Sequence, residues 1–257
     1  METLLVDRAP NGVVRLTLNR PEKKNAINRT MFDELLAVFR EVNDSTTDRV
    51  LVITGAGDAF CSGADLADRA GDPRHLLQRL HWVADIALAL HRIPKPVIAQ
   101  VNGVAVGAGM NLALGCDLIL AADTARFSEI FARRGLSIDF GGSWLLPRLV
   151  GLHRAKELAF FGDIVSAKEA AELGLVNRVV PAGELAALTA EWADRLAAGP
   201  PLALAMTKRL LGNAFSMTMD EALEAEGWAQ TVNGGTEDTR EALRAFLEKR
   251  EPRFHGR

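Results

Sequence analysis

The sequence predicts an α/β fold. Short apolar runs alternate with segments of helical periodicity through the first half of the chain. Several of those runs are continuously apolar, as strands buried on both faces are. Two glycine-rich stretches each follow such a run and lead into a helix.

The elements follow in order. Leu4 and Val6, the turn residues Ala9-Pro10-Asn11-Gly12, then Val14, Leu16 and Leu18 predict a hairpin. Phe32, Leu35, Leu36, Phe39 and Val42 recur along one face of a helix over Thr30–Asn43. Val50–Ile53 is a buried strand, Gly55–Gly63 a loop, and Asp65 the start of a helix. A helix over Pro73–His91 precedes a strand over Pro96–Val101, a turn at Asn102-Gly103, a buried helix over Gly107–Leu114 and a strand over Leu118–Ala121. From Gly142 on, helical patterns dominate, with one short strand near Val176–Val180. Pro200-Pro201 suits a helix's first turn, Thr218 with Glu221 forms a capping box, and Thr236–Lys249 is the last helix. The division is therefore an α/β core over residues 1–195 and a helical segment over 196–257 that needs another surface to pack on.

Composition narrows the function. A net charge of −3 supplies no basic field for nucleic acid. Two cysteines and no leader-like start predict a cytoplasmic protein without disulfides. The apolar stretch Val97–Ala122 carries Gln100, Asn102, Asn111 and Asp117, which a bilayer span would avoid, so no membrane is expected. The five histidines have no metal-ligand spacing, and no metal is expected.

The chemistry is concentrated in the glycine stretches, Gly55-Ala56-Gly57-Asp58-Ala59-Phe60-Cys61-Ser62-Gly63-Ala64-Asp65-Leu66 and Asn102-Gly103-Val104-Ala105-Val106-Gly107-Ala108-Gly109-Met110-Asn111-Leu112. Small residues at a strand-to-helix turn let a ligand approach the backbone, and first-turn N–H groups favour negative charge. Neither stretch spells the dinucleotide fingerprint G-x-G-x-x-G, and no P-loop lysine follows. Tight-turn geometry alone is the other reading of both.

Further segments fix a resemblance: Asn19-Arg20-Pro21-Glu22-Lys23-Lys24-Asn25-Ala26-Ile27-Asn28, Gly135-Leu136-Ser137-Ile138-Asp139-Phe140-Gly141-Gly142-Ser143-Trp144-Leu145-Leu146-Pro147-Arg148, Ala170–Val176 and Ala245–Arg250. With the glycine stretches, they resemble the enoyl-CoA hydratase/isomerase (crotonase) superfamily over essentially the whole chain. The resemblance implies a spiral of strand-strand-helix turns, a helical C-terminal segment that builds a homotrimer or a dimer of trimers, and an acyl-CoA substrate. Coenzyme A enters as part of that substrate, with no permanently bound cofactor. It assigns the oxyanion hole to the backbone N–H groups of Ala64 and Ala108. It also implies coenzyme A contacts at Lys23, Lys24, Ala26, Ala64, Asp65, Leu66 and Gly107, and Phe246 and Lys249 reaching a neighbouring subunit's site.

The two glutamates of the family's hydratases match Asn111 and Phe131, neither of which is acidic. Asp139 matches a catalytic aspartate of family isomerases, and one carboxylate beside an enolate suffices for a 1,3-proton shift. The expected pocket is Asn111, Ile130, Phe131 and Trp144, whose apolar members would raise the aspartate's pKa, with Trp82 adding bulk. The alternative role for Asp139 is capping the helix that begins near Gly141. Glu129, two residues from Phe131, is expected to face elsewhere; Asp65 is expected to cap a helix. A hydratase or dehydratase using other acids, and a non-catalytic acyl-CoA-binding protein, are the rival readings.

Overall fold

The computed structural model describes residues 1–69 and 75–257. Strands β1 (Leu4–Arg8) and β2 (Val13–Leu18) form the antiparallel hairpin, with Leu4 opposite Leu18. Helix α1 (Arg29–Asp44) starts at Asn28, whose side-chain oxygen accepts the Met31 N–H at 2.9 Å. It buries Phe32, Leu35, Phe39 and Val42, as its periodicity predicts, together with Met31 and Val38.

Three turns of chain then repeat one pattern. Strand β3 (Val50–Gly55) is followed by β4 (Ala59–Cys61), the short helix α2 (Leu66–Arg69) and α3 (Leu76–His91). Next come β5 (Val97–Val101), β6 (Val104–Val106) and α4 (Ala108–Leu114), then β7 (Leu118–Ala122), β8 (Arg126–Ser128), a 3₁₀ turn over Ile130–Arg134 and α5 (Gly142–Phe161). Each turn gives its first strand to a six-stranded sheet and its second to a four-stranded one. Strand β9 (Val165–Ser166), α6 (Ala167–Glu172) and β10 (Arg178–Val180) close the spiral. The sheet orders are β1-β2-β3-β5-β7-β10 and β4-β6-β8-β9. All pairings are parallel except β1 with β2 and β8 with β9.

The continuous apolar strands have a simple cause. Leu51, Ile53, Val97 and Ala99 point into the main core, while Val50, Val52, Ile98 and Leu120 meet Leu185, Ala193 and Ala197 of α7 (Leu185–Ala197) on the other face. Helix α7 ends at Ala197, two residues past the boundary expected at 195.

The remaining helices are α8 (Pro201–Asn213), α9 (Met219–Gly234), which carries the expected Thr218–Glu221 capping box, and α10 (Glu237–Glu248). Helices α8 and α9 bury no residue; Trp228, Leu243, Phe246 and Leu247 are more than 60% exposed. Polar ties hold this segment to the core: Lys208 donates to Asp117 at 2.6 Å and to the Lys95 carbonyl at 3.0 Å, and Arg49 donates to the Phe254 carbonyl at 2.8 Å.

The loop expected over Gly55–Gly63 contains β4. The four-stranded sheet was not visible, because strands of two or three residues are too short to show a period. The start expected at Pro73 lies outside the described residues. The apolar stretch at 97–122 is β5, β6, α4 and β7. Among the described residues no helix is long and apolar enough to cross a membrane.

Candidate active site

The two candidate N–H donors are built differently. Ala64 pairs with Ile27 in a parallel bridge. The Ile27 N–H donates to the Gly63 carbonyl at 2.8 Å, and the Asp65 N–H donates to the Ile27 carbonyl at 2.9 Å. Because successive residues of an extended chain face opposite ways, the Ala64 N–H points away from Ile27. Ala108 instead opens α4 behind Gly107, which has φ 55° and donates its own N–H to the Ser128 carbonyl at 2.8 Å. A first-turn N–H has no acceptor within its helix. The two segments touch at Gly109, where a Cβ would lie 2.2 Å from the Cys61 carbonyl oxygen; only glycine lets α4 come this close to β4.

Ala64, Ala108 and Asp139 line one cavity. Its apolar wall comes from Ile27 and Phe32 on one side and Leu76, Leu80, Trp82 and Val83 of α3 on the other. Phe32 meets Trp82 edge-on with ring centres 5.2 Å apart and stacks on Phe140 at 6.3 Å. Arg29, Asp65, Asp68 and Arg79 supply its polar lining.

Asp139 reaches the cavity through an unusual turn. Phe140 has φ 53° and Gly141 φ 83°, two consecutive left-handed residues. For a bulky side chain this costs about 1–3 kcal/mol, and burial of the Phe140 ring in the core offsets it. Gly141 is the N-cap of α5, and the Gly142 N–H donates to the Asp139 carbonyl at 3.0 Å. The main chain of Asp139 thus helps to close the helix start.

Behind this turn lies a buried polar cluster. The Asn111 amide is fully buried; its Nδ2 donates to the Asp139 carbonyl at 2.9 Å and, more weakly, to Glu129 Oε2 at 3.4 Å. Glu129 is 1% exposed, and burial pushes its carboxyl up to about 8, with the nearby charge of Asp139 adding to the rise and the Asn111 bond opposing it. Glu129 does not line the cavity, but it bonds Asn111 behind the Asp139 turn, a link the sequence does not show. Phe127 and Glu129 are two residues apart at the end of β8 and both are buried. Ser128 between them is buried as well, so no alternation in the sequence marks Glu129.

The other expected site residues divide. Ile130 and Phe131 lie beside Gly107, within 3.6 and 3.7 Å of where its Cβ would be. Trp144 is elsewhere: it packs edge-on against His91 at 5.3 Å, with the Arg148 guanidinium 3.9 Å above its ring. The cavity wall includes Phe32, Leu80, Trp82 and Val83, whereas the expected pocket residues Asn111, Ile130, Phe131 and Trp144 are not among its lining residues. Lys23 and Lys24 are exposed, and Lys24 bonds Asp58 at 2.5 and 2.7 Å. The Ala26 carbonyl accepts from Arg20 at 2.6 Å, and Arg20 also pairs with Asp65 at 3.0 Å. Burial alone would raise the Asp65 carboxyl, but hydrogen bonds from Arg20 and the Ala67 N–H outweigh it and hold it low. Asp65 thus bonds to the start of α2, as expected, and to Arg20, which was not. Leu66, Phe246 and Lys249 are exposed, and Lys249 closes α10 at φ 54°. Cys61 is wholly buried, its thiol pushed up to about 12 by burial, so it is no nucleophile at neutral pH.

Comparison with known proteins agrees with this architecture. The family model described as enoyl-CoA hydratase/isomerase matches residues 8–257. The chain belongs to the enoyl-CoA hydratase/isomerase family. It is 40% identical, over 100% of both chains, to 1,2-epoxyphenylacetyl-CoA isomerase of Escherichia coli (strain K12). It is 36% identical, over 98% of both, to crotonyl-CoA hydratase of Syntrophomonas wolfei. The crystal structure of enoyl-CoA hydratase from Bacillus anthracis superposes with a TM-score of 0.95, at 35% identity, covering 99% of this chain and 100% of the other.

Proposed function

We propose that this acyl-CoA enzyme is an isomerase that moves a double bond by a 1,3-proton transfer, with Asp139 as the single proton shuttle. The observation that carries the reading is the shared cavity of Ala64, Ala108 and Asp139. The Ala64 and Ala108 N–H groups hold the thioester oxygen as it gains negative charge, each contributing roughly 3–4 kcal/mol in the transition state. Asp139 takes a proton from C2 of a 3-enoyl thioester, and the electron pair spreads onto the thioester oxygen as a dienolate. The same carboxyl returns the proton to C4. One C–H bond breaks, another forms, the double bond moves from C3–C4 to C2–C3, and nothing is oxidised or reduced. Asn111 and Phe131 stand where a two-glutamate hydratase needs acids, which weighs against water addition.

The aromatic wall of Phe32 and Trp82 supports an aromatic or medium-length acyl group. We assign the coenzyme A moiety to the surface of Lys23, Lys24, Ala26, Asp65 and Leu66, with Gly107 at the thioester end. The exposed apolar side chains of α8–α10, Phe246 among them, support assembly into a homotrimer or a dimer of trimers, with Phe246 and Lys249 reaching a neighbour's coenzyme A.

The test is proton exchange in D₂O on a panel of acyl-CoA thioesters, read by mass, for the protein and Asp139→Asn. Deuterium at both ends of an allyl system, lost in the variant, is the expected result. Hydration of crotonyl-CoA without positional exchange would replace the reading with a hydratase. Binding without any exchange would replace it with a binding protein.

A further inference from the structure

We propose that Glu129 is a positioning residue: its carboxyl group clamps the Asn111 amide, and that amide fixes the turn that presents Asp139 to the cavity. The inference rests on the proton-shuttle reading of Asp139 and deepens it.

Two buried oxygens stand behind the Asp139 turn. Among the described residues, Asn111 Oδ1 and Glu129 Oε1 have no hydrogen-bond partner. They belong to two side chains already joined through Asn111 Nδ2 and Glu129 Oε2 at 3.4 Å. An orphaned buried polar atom costs about 1–3 kcal/mol, so two in one pair call for a common cause. One proton on Glu129 Oε1 supplies it. A carboxylic acid facing a primary amide makes two bonds, N–H to one carboxyl oxygen and O–H to the amide oxygen, and both orphans are then satisfied. Burial of Glu129 favours that neutral form.

The pair is tied to the site through Asn111. Its Nδ2 holds the Asp139 carbonyl at 2.9 Å, directly before the left-handed residues Phe140 and Gly141. The amide also fills the space over Gly142, where a Cβ would lie 2.4–2.6 Å from its atoms. An amide left to turn about its own bond would lose the Asp139 carbonyl. Glu129 specifies which end of the amide faces which partner. When Glu129 ionises it can no longer donate to Oδ1, and its charge opposes that of Asp139. Asp139 is the charged group whose field acts on Glu129; Asn111 is the polar one.

The experiment compares Glu129→Gln and Glu129→Leu with the parent and Asp139→Asn, all as full chains, on the enoyl-CoA that exchanges best. Glu129→Leu is expected to lower kcat roughly tenfold to a hundredfold, with KM within about twofold. Glu129→Gln keeps an acceptor and a donor at the same places and is expected to recover most of kcat. The parent should lose rate as pH rises through about 8, and Glu129→Gln should lack that fall. Infrared difference spectra of parent against Glu129→Gln should show a protonated-carboxyl carbonyl band at pH 7 that disappears above pH 8. Parental kcat in Glu129→Leu would overturn the proposal. So would equal losses in Gln and Leu, or a carboxylate band at pH 7. Full turnover in Asp139→Asn would sink the isomerase reading instead, and the infrared band would still decide the Glu129–Asn111 pair.

Discussion

Asp139 and Glu129 are two carboxyl groups ten positions apart, on either side of Asn111. Asp139 lines the cavity beside the two alanine N–H donors. Glu129 sits behind, 1% exposed, and its proton is held to about pH 8. One carboxyl lines the cavity and the other does not, and the Asn111 amide bonds the Glu129 carboxyl and the Asp139 main-chain carbonyl. Residue type does not separate their settings; access to the cavity does.

The largest effect is expected at Asp139. Asp139→Asn should fold normally and lose about 10²–10⁴ in kcat for double-bond migration, measured by spectrophotometric turnover. Retained activity would move the proton chemistry away from this residue.

Glu129 should show itself in stability. Its folded pKa is raised above the ordinary carboxyl value, so its contribution is full below about pH 4.5 and is lost as pH rises through about 8. The Tm of Glu129→Gln minus that of the parent should therefore grow between pH 5 and pH 9, reflecting a few kcal/mol at most. A difference that stays flat with pH would show that Glu129 is ionised in the fold.

Gly142→Ala tests the amide that bonds the Glu129 carboxyl and the Asp139 main chain. Its Cβ would press on Asn111, and overpacking of this kind costs about 1–3 kcal/mol, read as a lower urea midpoint. Turnover should fall with it, because the Asp139 carbonyl moves. A variant that is destabilised but fully active would uncouple Asn111 from the site. The smallest effect is expected at Trp144→Leu. Trp144 packs on His91 and Arg148, away from the cavity-lining residues, so kcat/KM should stay within about twofold. A large loss would put it back in the acyl wall.

Much of the fold was legible because it rests on local rules. The period of α1, the continuous run of β3 and the capping box of α9 are each set by a few neighbouring residues, and each forms as read. The four-stranded sheet was not legible, since its strands have two or three residues each and are held by partners distant in sequence. The same holds for the site. Asp139 stands in a motif that can be read by resemblance, whereas Phe32, Leu80 and Val83 join its cavity only when α1 and α3 pack together.

Legible without any coordinates were the α/β class, the two glycine stretches that carry Ala64 and Ala108, the absence of acids at 111 and 131, and Asp139 as the remaining candidate acid. The class is written in residue type and spacing, while the importance of positions 64, 108, 111, 131 and 139 comes from the family resemblance. Tertiary structure alone decided that Glu129 is buried against Asn111 and that Trp144 lies with His91 and Arg148. A side chain's direction at the end of a short strand, or in the first turn of a helix, is set by what packs against it. That packing comes from parts of the chain far away in sequence.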